Sequence, residues 1–290
     1  MSFTPTGRLS VSRDDHAAVA LPDAKVLLIG GWGLNGLLAS TDVYDPQTGR
    51  FTPGPTMHSG RAGLSPVTLS NGQILIAGGF IGNKPTTAAS DLYDPATNTM
   101  QRTGDLTTPR GAYAAARLPD GRVLLAGGLD NGAVVASAEI YDPAMGTFHP
   151  TGAMHTARYK CAAVTLANGT VMVFGGSGDI DGTILYASTE IYDPSSGTFS
   201  AGPQMRLPRY KLADSSVILG DGDLLVAGGA PHPEVFRPAA GGFAPVTGDL
   251  GATRLFLAAA AVDAHRVLIT GGYDKAIRPT ATAWLYDDRD

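Results

Sequence analysis

Six glycine doublets punctuate the chain: Gly30-Gly31, Gly78-Gly79, Gly127-Gly128, Gly175-Gly176, Gly228-Gly229 and Gly271-Gly272. Each closes a short apolar run, from VLLIGG in the first to VLITGG in the last. The spacings are 48, 49, 48, 53 and 43 residues. A period near fifty that ends strands in this way predicts a radial array of β-sheets. The repeat spans the chain, so its 290 residues read as one domain with a large core.

Residues 110–150 show one unit. Arg110 opens it, AYAAARL is a first strand and LPDG a tight two-residue hairpin turn of the Asp-Gly type. RVLLAGG is a second strand, apolar on both faces because a sheet lies on either side of it. A variable loop leads to the third strand, AEIYDP, then to a turn with Gly146 in the left-handed region. FHPTG is the fourth strand, where Pro150 is tolerated on an edge. The other opening arginines are Arg13, Arg61, Arg158, Arg209 and Arg254. Five of the six lie 17 residues before their doublet, but Arg209 lies 19 before, so the fifth unit carries two extra residues near its first strand. Tyr44, Tyr93, Tyr141, Tyr192 and Tyr286 read as core residues of the third strands.

The opening arginine, the apolar run into Gly-Gly, the Tyr-Asp pair and the following aromatic resemble the kelch repeat, with Phe or Met where that repeat usually has Trp. The second strands are also similar to those in the propeller part of galactose oxidase and glyoxal oxidase. The resemblance implies an all-β, closed, six-bladed propeller of four-stranded antiparallel blades. The expected blades are residues 10–57, 58–106, 107–154, 155–205, 206–250 and 251–290, the last completed by residues 2–9. Phe3 stands 10 residues before Arg13, as Phe51 does before Arg61, which supports that closure. The opening arginines are expected to bridge adjacent sheets.

In kelch propellers the loops entering the first strand and leaving the second share one face around a central channel, where ligands commonly bind. Carried onto this chain, that geometry gives six candidate acid–base or binding groups: Asp15, His16, Tyr159, Lys160, Tyr210 and Lys211. Trp32, Phe80, Tyr113, Tyr273, Asp14 and Phe256 are candidate ligand-binding walls. These residues share positions within the repeat while their identities break it. A scaffold carries function where its repeat is broken in this way. The leading expectation is a binding module for a small polar molecule or peptide. The alternative is a cofactor-free enzyme of isomerase, mutarotase or cyclase type, for which six-bladed sialic-acid mutarotases are a precedent. A kelch propeller without a second domain favours a pocket of its own over an adaptor role.

No cofactor or metal is expected. No C-x-x-C, H-E-x-x-H, P-loop or G-x-S-x-G pattern occurs. Lys211 stands where a galactose-oxidase-like copper site needs histidine, and the acidic SGDIDG segment lacks the later ligand of a calcium loop. A formal net charge of -5 argues against nucleic acid, and no apolar run reaches membrane-spanning length. His58, His149 and His155 are expected at the surface. One cysteine, Cys161, and an N-terminus without a signal-like apolar region point to a cytoplasmic protein, and a monomer is the favoured expectation for an oligomeric state the sequence leaves open.

Overall fold

A chain whose apolar runs are only four or five residues long must bury them against neighbouring sheets. The computed structural model shows how, describing residues 8–21, 23–248, 250–261, 264–270, 273–276 and 283–289. The described residues form five four-stranded antiparallel sheets, each pairing its strands in chain order. Blade 1 consists of Ala17–Ala20, Val26–Ile29, Thr41–Asp45 and Arg50–Pro53. Blade 2 consists of Val67–Thr68, Ile74–Ala77, Ser90–Asp94 and Thr99–Arg102. Blade 3 runs from Ala114–Arg117 to Thr147–Thr151, blade 4 from Ala162–Thr165 to Thr198–Ala201, and blade 5 from Ser216–Ile218 to Gly242–Pro245. The sixth sheet has three described strands, Ala258–Ala261, Arg266–Thr270 and Ala283–Asp287. The expected fourth strand from residues 2–9 lies almost wholly outside the described residues, and Arg8 and Leu9 are not in a strand.

The chain divides into two compact units. One comprises Met1–Leu125, Leu129–Ala133 and Ala138–Thr151; the other comprises Ala126–Gly128, Val134–Ser137 and Gly152–Asp290. Within each, apolar cores form between consecutive blades. In the first unit Leu27 and Ile29 of blade 1 pack with Ile74 and Ile76 of blade 2, while Leu75 and Ala77 turn to Val123 and Leu125 of blade 3. In the second, Met172 and Phe174 meet Leu224 and Val226, and Leu225 and Ala227 meet Val267 and Ile269. Alternate residues of one strand thus serve two cores, so both faces must be apolar.

The third-strand tyrosine pairs in register with the fourth-strand aromatic, with ring centroids 4.7 Å apart for Tyr44–Phe51, 4.8 Å for Tyr141–Phe148 and 4.9 Å for Tyr192–Phe199. The following aspartate caps its own turn: Asp142 accepts from the Ala144 amide at 2.9 Å, and Gly146 takes φ +66°.

Two expectations are corrected. The hairpin between first and second strands has a three-residue loop. Leu118 and Arg122 pair across it, the Gly121 amide donates to the Leu118 carbonyl at 3.0 Å, and only Gly121 is left-handed, at φ +89°. This is a type I turn closed by a bulge, a geometry that also accepts the Asp-Gly sequence. The arginine side chains do not bridge sheets. Arg158 bonds the Gly175 and Ser188 carbonyls at 2.9 and 3.0 Å and pairs with Glu190 at 3.1 Å, all in its own blade. The crossing is made by its backbone. The Gly128 amide of blade 3 donates to the Arg158 carbonyl at 2.9 Å. The same bond joins Gly31 to Arg61, Gly79 to Arg110, Gly176 to Arg209 and Gly229 to Arg254, at 2.7–2.8 Å.

That bond explains the glycine before it. A Cβ on Gly127, which has φ +69°, would stand 2.3 Å from the Arg158 carbonyl oxygen. Gly127→Val should therefore destabilise the protein by about 3 kcal/mol or more, because backbone strain and overpacking each cost ~1–3 kcal/mol. Equilibrium denaturation measures this, and unchanged stability would mean that the doublet is no close-approach point.

Candidate functional site

The repeat places one residue of each blade in an unusual conformation. The second residue after each opening arginine is left-handed: Asp15, Gly63, Ala112, Lys160, Lys211 and Phe256, with φ of 48°, 60°, 51°, 52°, 57° and 52°. Their backbones link consecutive blades within each unit. The Gly63 amide donates to the Asp15 carbonyl at 3.4 Å, and Ala112 to Gly63 at 2.9 Å. In the second unit Lys211 donates to Lys160 at 3.0 Å, and Phe256 to Lys211 at 3.3 Å. In five of the six blades the residue before the left-handed one pairs with the residue after a glycine doublet: Asp14–Trp32, Ala62–Phe80, Gly111–Leu129, Tyr159–Ser177 and Leu255–Tyr273. Entry and exit segments are therefore joined, blade by blade.

What the candidates do differs between the units. In the first, Asp14, Asp15 and His16 are exposed and Trp32 is half-buried. Partial desolvation, with the Arg13 charge next in size, lowers the His16 pKa below its usual value. The Phe80 ring covers the backbone of Gly63 and Gly111, where added Cβ atoms would meet it at 2.5 and 3.0 Å. Tyr113 is buried, its hydroxyl donates to the Ala77 carbonyl at 2.6 Å, and burial pushes its pKa to about 12. It is thus held as a core residue between blades 2 and 3 and presents no free group to a ligand.

The second unit brings six candidates into linked contacts. The Lys211 ammonium donates to the Tyr273 hydroxyl at 2.7 Å. It also stands 5.2 Å from the Tyr210 ring centroid, 5.5 Å from Phe256 and 5.1 Å from Tyr273, within cation–π range of all three. Phe256 and Tyr273 are themselves 6.0 Å apart. On blade 4 the Lys160 ammonium lies 5.0 Å over the Tyr159 ring. The Tyr159 hydroxyl donates to the Ile180 carbonyl at 2.8 Å. Desolvation above all, with the nearby Asp179 and Tyr210, raises its pKa to about 12, so it is a phenol at neutral pH. The Asp179 carboxylate is taken up by its own loop: Ser177 and Thr183 hydroxyls and the Thr183 and Ile184 amides bond it, holding its pKa near 2. Among the described residues no group of three or more His, Cys, Asp or Glu is arranged to hold a metal, and no helix is long and apolar enough to cross a membrane.

Two sets of residues escaped sequence reasoning. An acid two positions before each third-strand aromatic, namely Asp42, Asp91, Glu139, Glu190 and Glu234, pairs with the opening arginine of its blade and is buried with it. Its other bonds go to the segment before the arginine, as when Glu139 accepts from the Thr107 and Thr108 amides at 2.6 and 3.0 Å. His58 and His155, expected merely at the surface, touch Asp91 and Glu190 in this way. The signal was there as an acid recurring beside each Tyr-Asp pair. Blade 6 has Trp284 instead, and the Arg254 guanidinium lies 5.8 Å over its ring.

The second missed residue is Asp214. The two extra residues of blade 5 form a tight bulge, closed by the Ser215 amide and hydroxyl on the Leu212 carbonyl at 3.2 and 2.9 Å. Asp214 is left-handed there, at φ 57°. Its side chain reaches water, yet surrounding protein desolvates it and raises its pKa.

The kelch motif family model matches residues 15–58 and 158–206, which hold blades 1 and 4. A search of curated proteins finds no match to the chain. The motif matches in two regions and the repeated four-stranded antiparallel blades support a kelch-repeat β-propeller.

The Asp214 shift has a definite sign. A folded-state pKa above the unfolded one means that ionisation opposes folding, so stability falls as pH rises through the unfolded value toward the folded one. Asp214→Asn should raise the melting temperature at pH 7 and leave it unchanged below about pH 3, where wild-type aspartate is also neutral. A lowered melting temperature at pH 7 would show that the charge is held by a favourable partner.

Proposed function

We propose that the protein is a binding propeller that takes a small polar molecule or peptide at the mouth of its channel, with Tyr159, Lys160, Tyr210, Lys211, Phe256 and Tyr273 forming the site. One observation carries this reading. Lys160, Lys211 and Phe256 adopt a left-handed conformation at a position where the same scaffold uses Gly63 and Ala112. The scaffold needs that backbone, not those side chains. A large side chain there costs roughly 1–2 kcal/mol in strain, and strain of this kind gathers at functional sites. Aromatic walls with a few polar groups are the common anatomy of a ligand pocket. A thermal-shift screen of polar metabolites and short peptides tests it. Lys211→Ala and Tyr210→Phe should weaken any hit by about 1–3 kcal/mol, the range for a hydrogen bond to a charged group. Hits that are indifferent to both changes refute the site.

The enzymatic reading keeps one specific support. The Lys211–Tyr273 hydrogen bond at 2.7 Å is a pair through which a proton can pass. Tyr273→Phe would then abolish turnover of a bound compound while sparing its affinity.

For the architecture we propose a closed ring of six blades, with residues 2–9 as the fourth strand of blade 6. The strand Ala283–Asp287 pairs with Arg266–Thr270, and among the described residues its other edge is unpaired. A cavity of about 370 Å³ lined by Val246, Ile269, Trp284 and Tyr286 runs beside it. An open edge of this kind invites pairing. Deleting residues 1–9 should lower the melting temperature sharply, and an unaltered melt would contradict closure.

A further inference from the structure

The reading above leaves the ligand's chemistry open, and Lys211 narrows it. Its backbone is occupied by the scaffold, donating to Lys160 and accepting from Phe256. Its side chain is half-buried among three aromatic rings. Of the three protons on the ammonium, one is used among the described residues, on the Tyr273 hydroxyl. Among the described residues no carboxylate forms an ion pair with it, whereas five opening arginines each pair with an acid of their own blade. The nearest acid along the chain is Asp214, whose pKa is raised by burial with no opposing pull from Lys211. A partly desolvated ammonium with two unspent donors and no counter-ion attracts an anion.

We infer that Lys211 is the counter-ion for a carboxylate-bearing organic ligand. That role rests on the binding function proposed above. The charge is one ammonium rather than a cluster of guanidinium forks, which suits a monoanion better than a phosphate dianion. Tyr210 and Tyr273 add hydroxyl groups, and the rings of Phe256 and Tyr210 offer flat apolar faces to the rest of the molecule. Lys160, joined to Lys211 through the backbone, sets a second ammonium on the neighbouring blade.

Three probes of one shape test it: benzoate, benzamide and phenyl phosphate, titrated by NMR against the full chain and followed at reductively methylated lysines or backbone amides. Benzoate should bind the wild type at least tenfold more tightly than benzamide. Lys211→Met should lose at least tenfold for benzoate, and Lys211→Arg should keep most of the affinity. A thermal melt of each variant establishes that it is folded. Benzamide binding as tightly as benzoate, unaffected by Lys211→Met, overturns the carboxylate assignment but leaves a ligand site among these rings. Phenyl phosphate binding more tightly than benzoate overturns the carboxylate in favour of a phosphate. If none of the three perturbs this region, both the carboxylate assignment and the site itself fall.

Discussion

The fold depends on one hydrogen bond made over and over. The carbonyl of each opening arginine described as a partner accepts from the second glycine of the preceding blade's doublet. The bond carries the chain from one sheet to the next at a fixed distance. In blades 1 to 4 it dictates glycine on the donor side, since a Cβ on the first doublet residue would stand 2.3–2.6 Å from the accepting carbonyl oxygen. It also requires the arginine backbone to be held still. That is the work of the side chain, which fastens to two carbonyls and one buried acid within its own blade. A buried ion pair of this kind adds little net stability by itself, but losing one partner leaves a charge stranded at a cost of ~3–5 kcal/mol. Its role is to fix geometry. Arg254, which stacks on Trp284, marks the one described departure.

Once that crossing is fixed, the next residues have little choice. The chain must turn from the arginine into the first strand, and it does so with a left-handed residue whose amide or carbonyl bonds a neighbouring blade in its unit. That backbone bond makes no demand on which side chain stands at the position. The scaffold thereby sets up repeated positions whose side chains it leaves to other ends. In blades 2 and 3 these are Gly63 and Ala112. In blades 4 and 5 they are lysines, and around Lys211 three rings gather.

Much of this was legible in the sequence. The doublets, the opening arginines and the Tyr-Asp pairs gave the blades, because each marks a backbone event that only a few residue types permit. The entry–exit pairing that joins Tyr159 to Ser177 and Leu255 to Tyr273 followed from landmark positions. Other features were hidden for physical reasons. Tyr113 occupies an entry position like Tyr159 does, but whether a tyrosine faces a core or a cavity depends on neighbours that are remote in sequence. The direction of the arginine side chains turned on the acids Asp42 to Glu234, whose recurrence is visible only once the third strand is aligned by its aromatic. Asp214 was foreshadowed as a two-residue excess, but a spacing cannot say that the excess becomes a bulge with a desolvated carboxylate. Residues 2–9 lie almost wholly outside the described structure.

The central claim is that the left-handed entry positions serve the scaffold through their backbone alone. The most direct measurement is equilibrium denaturation of the double variant Lys160→Gly, Lys211→Gly. Glycine relieves roughly 1–2 kcal/mol of strain at each site, against a propensity cost of ~0.5–1 kcal/mol and the loss of cation–π contacts worth ~0.5–1 kcal/mol each. Summed over two sites and four contacts these terms nearly offset, and the account predicts stability within about 2 kcal/mol of the parent. A loss of more than about 3 kcal/mol would contradict it, by showing that the two lysines hold the blades together and were never free to serve a ligand.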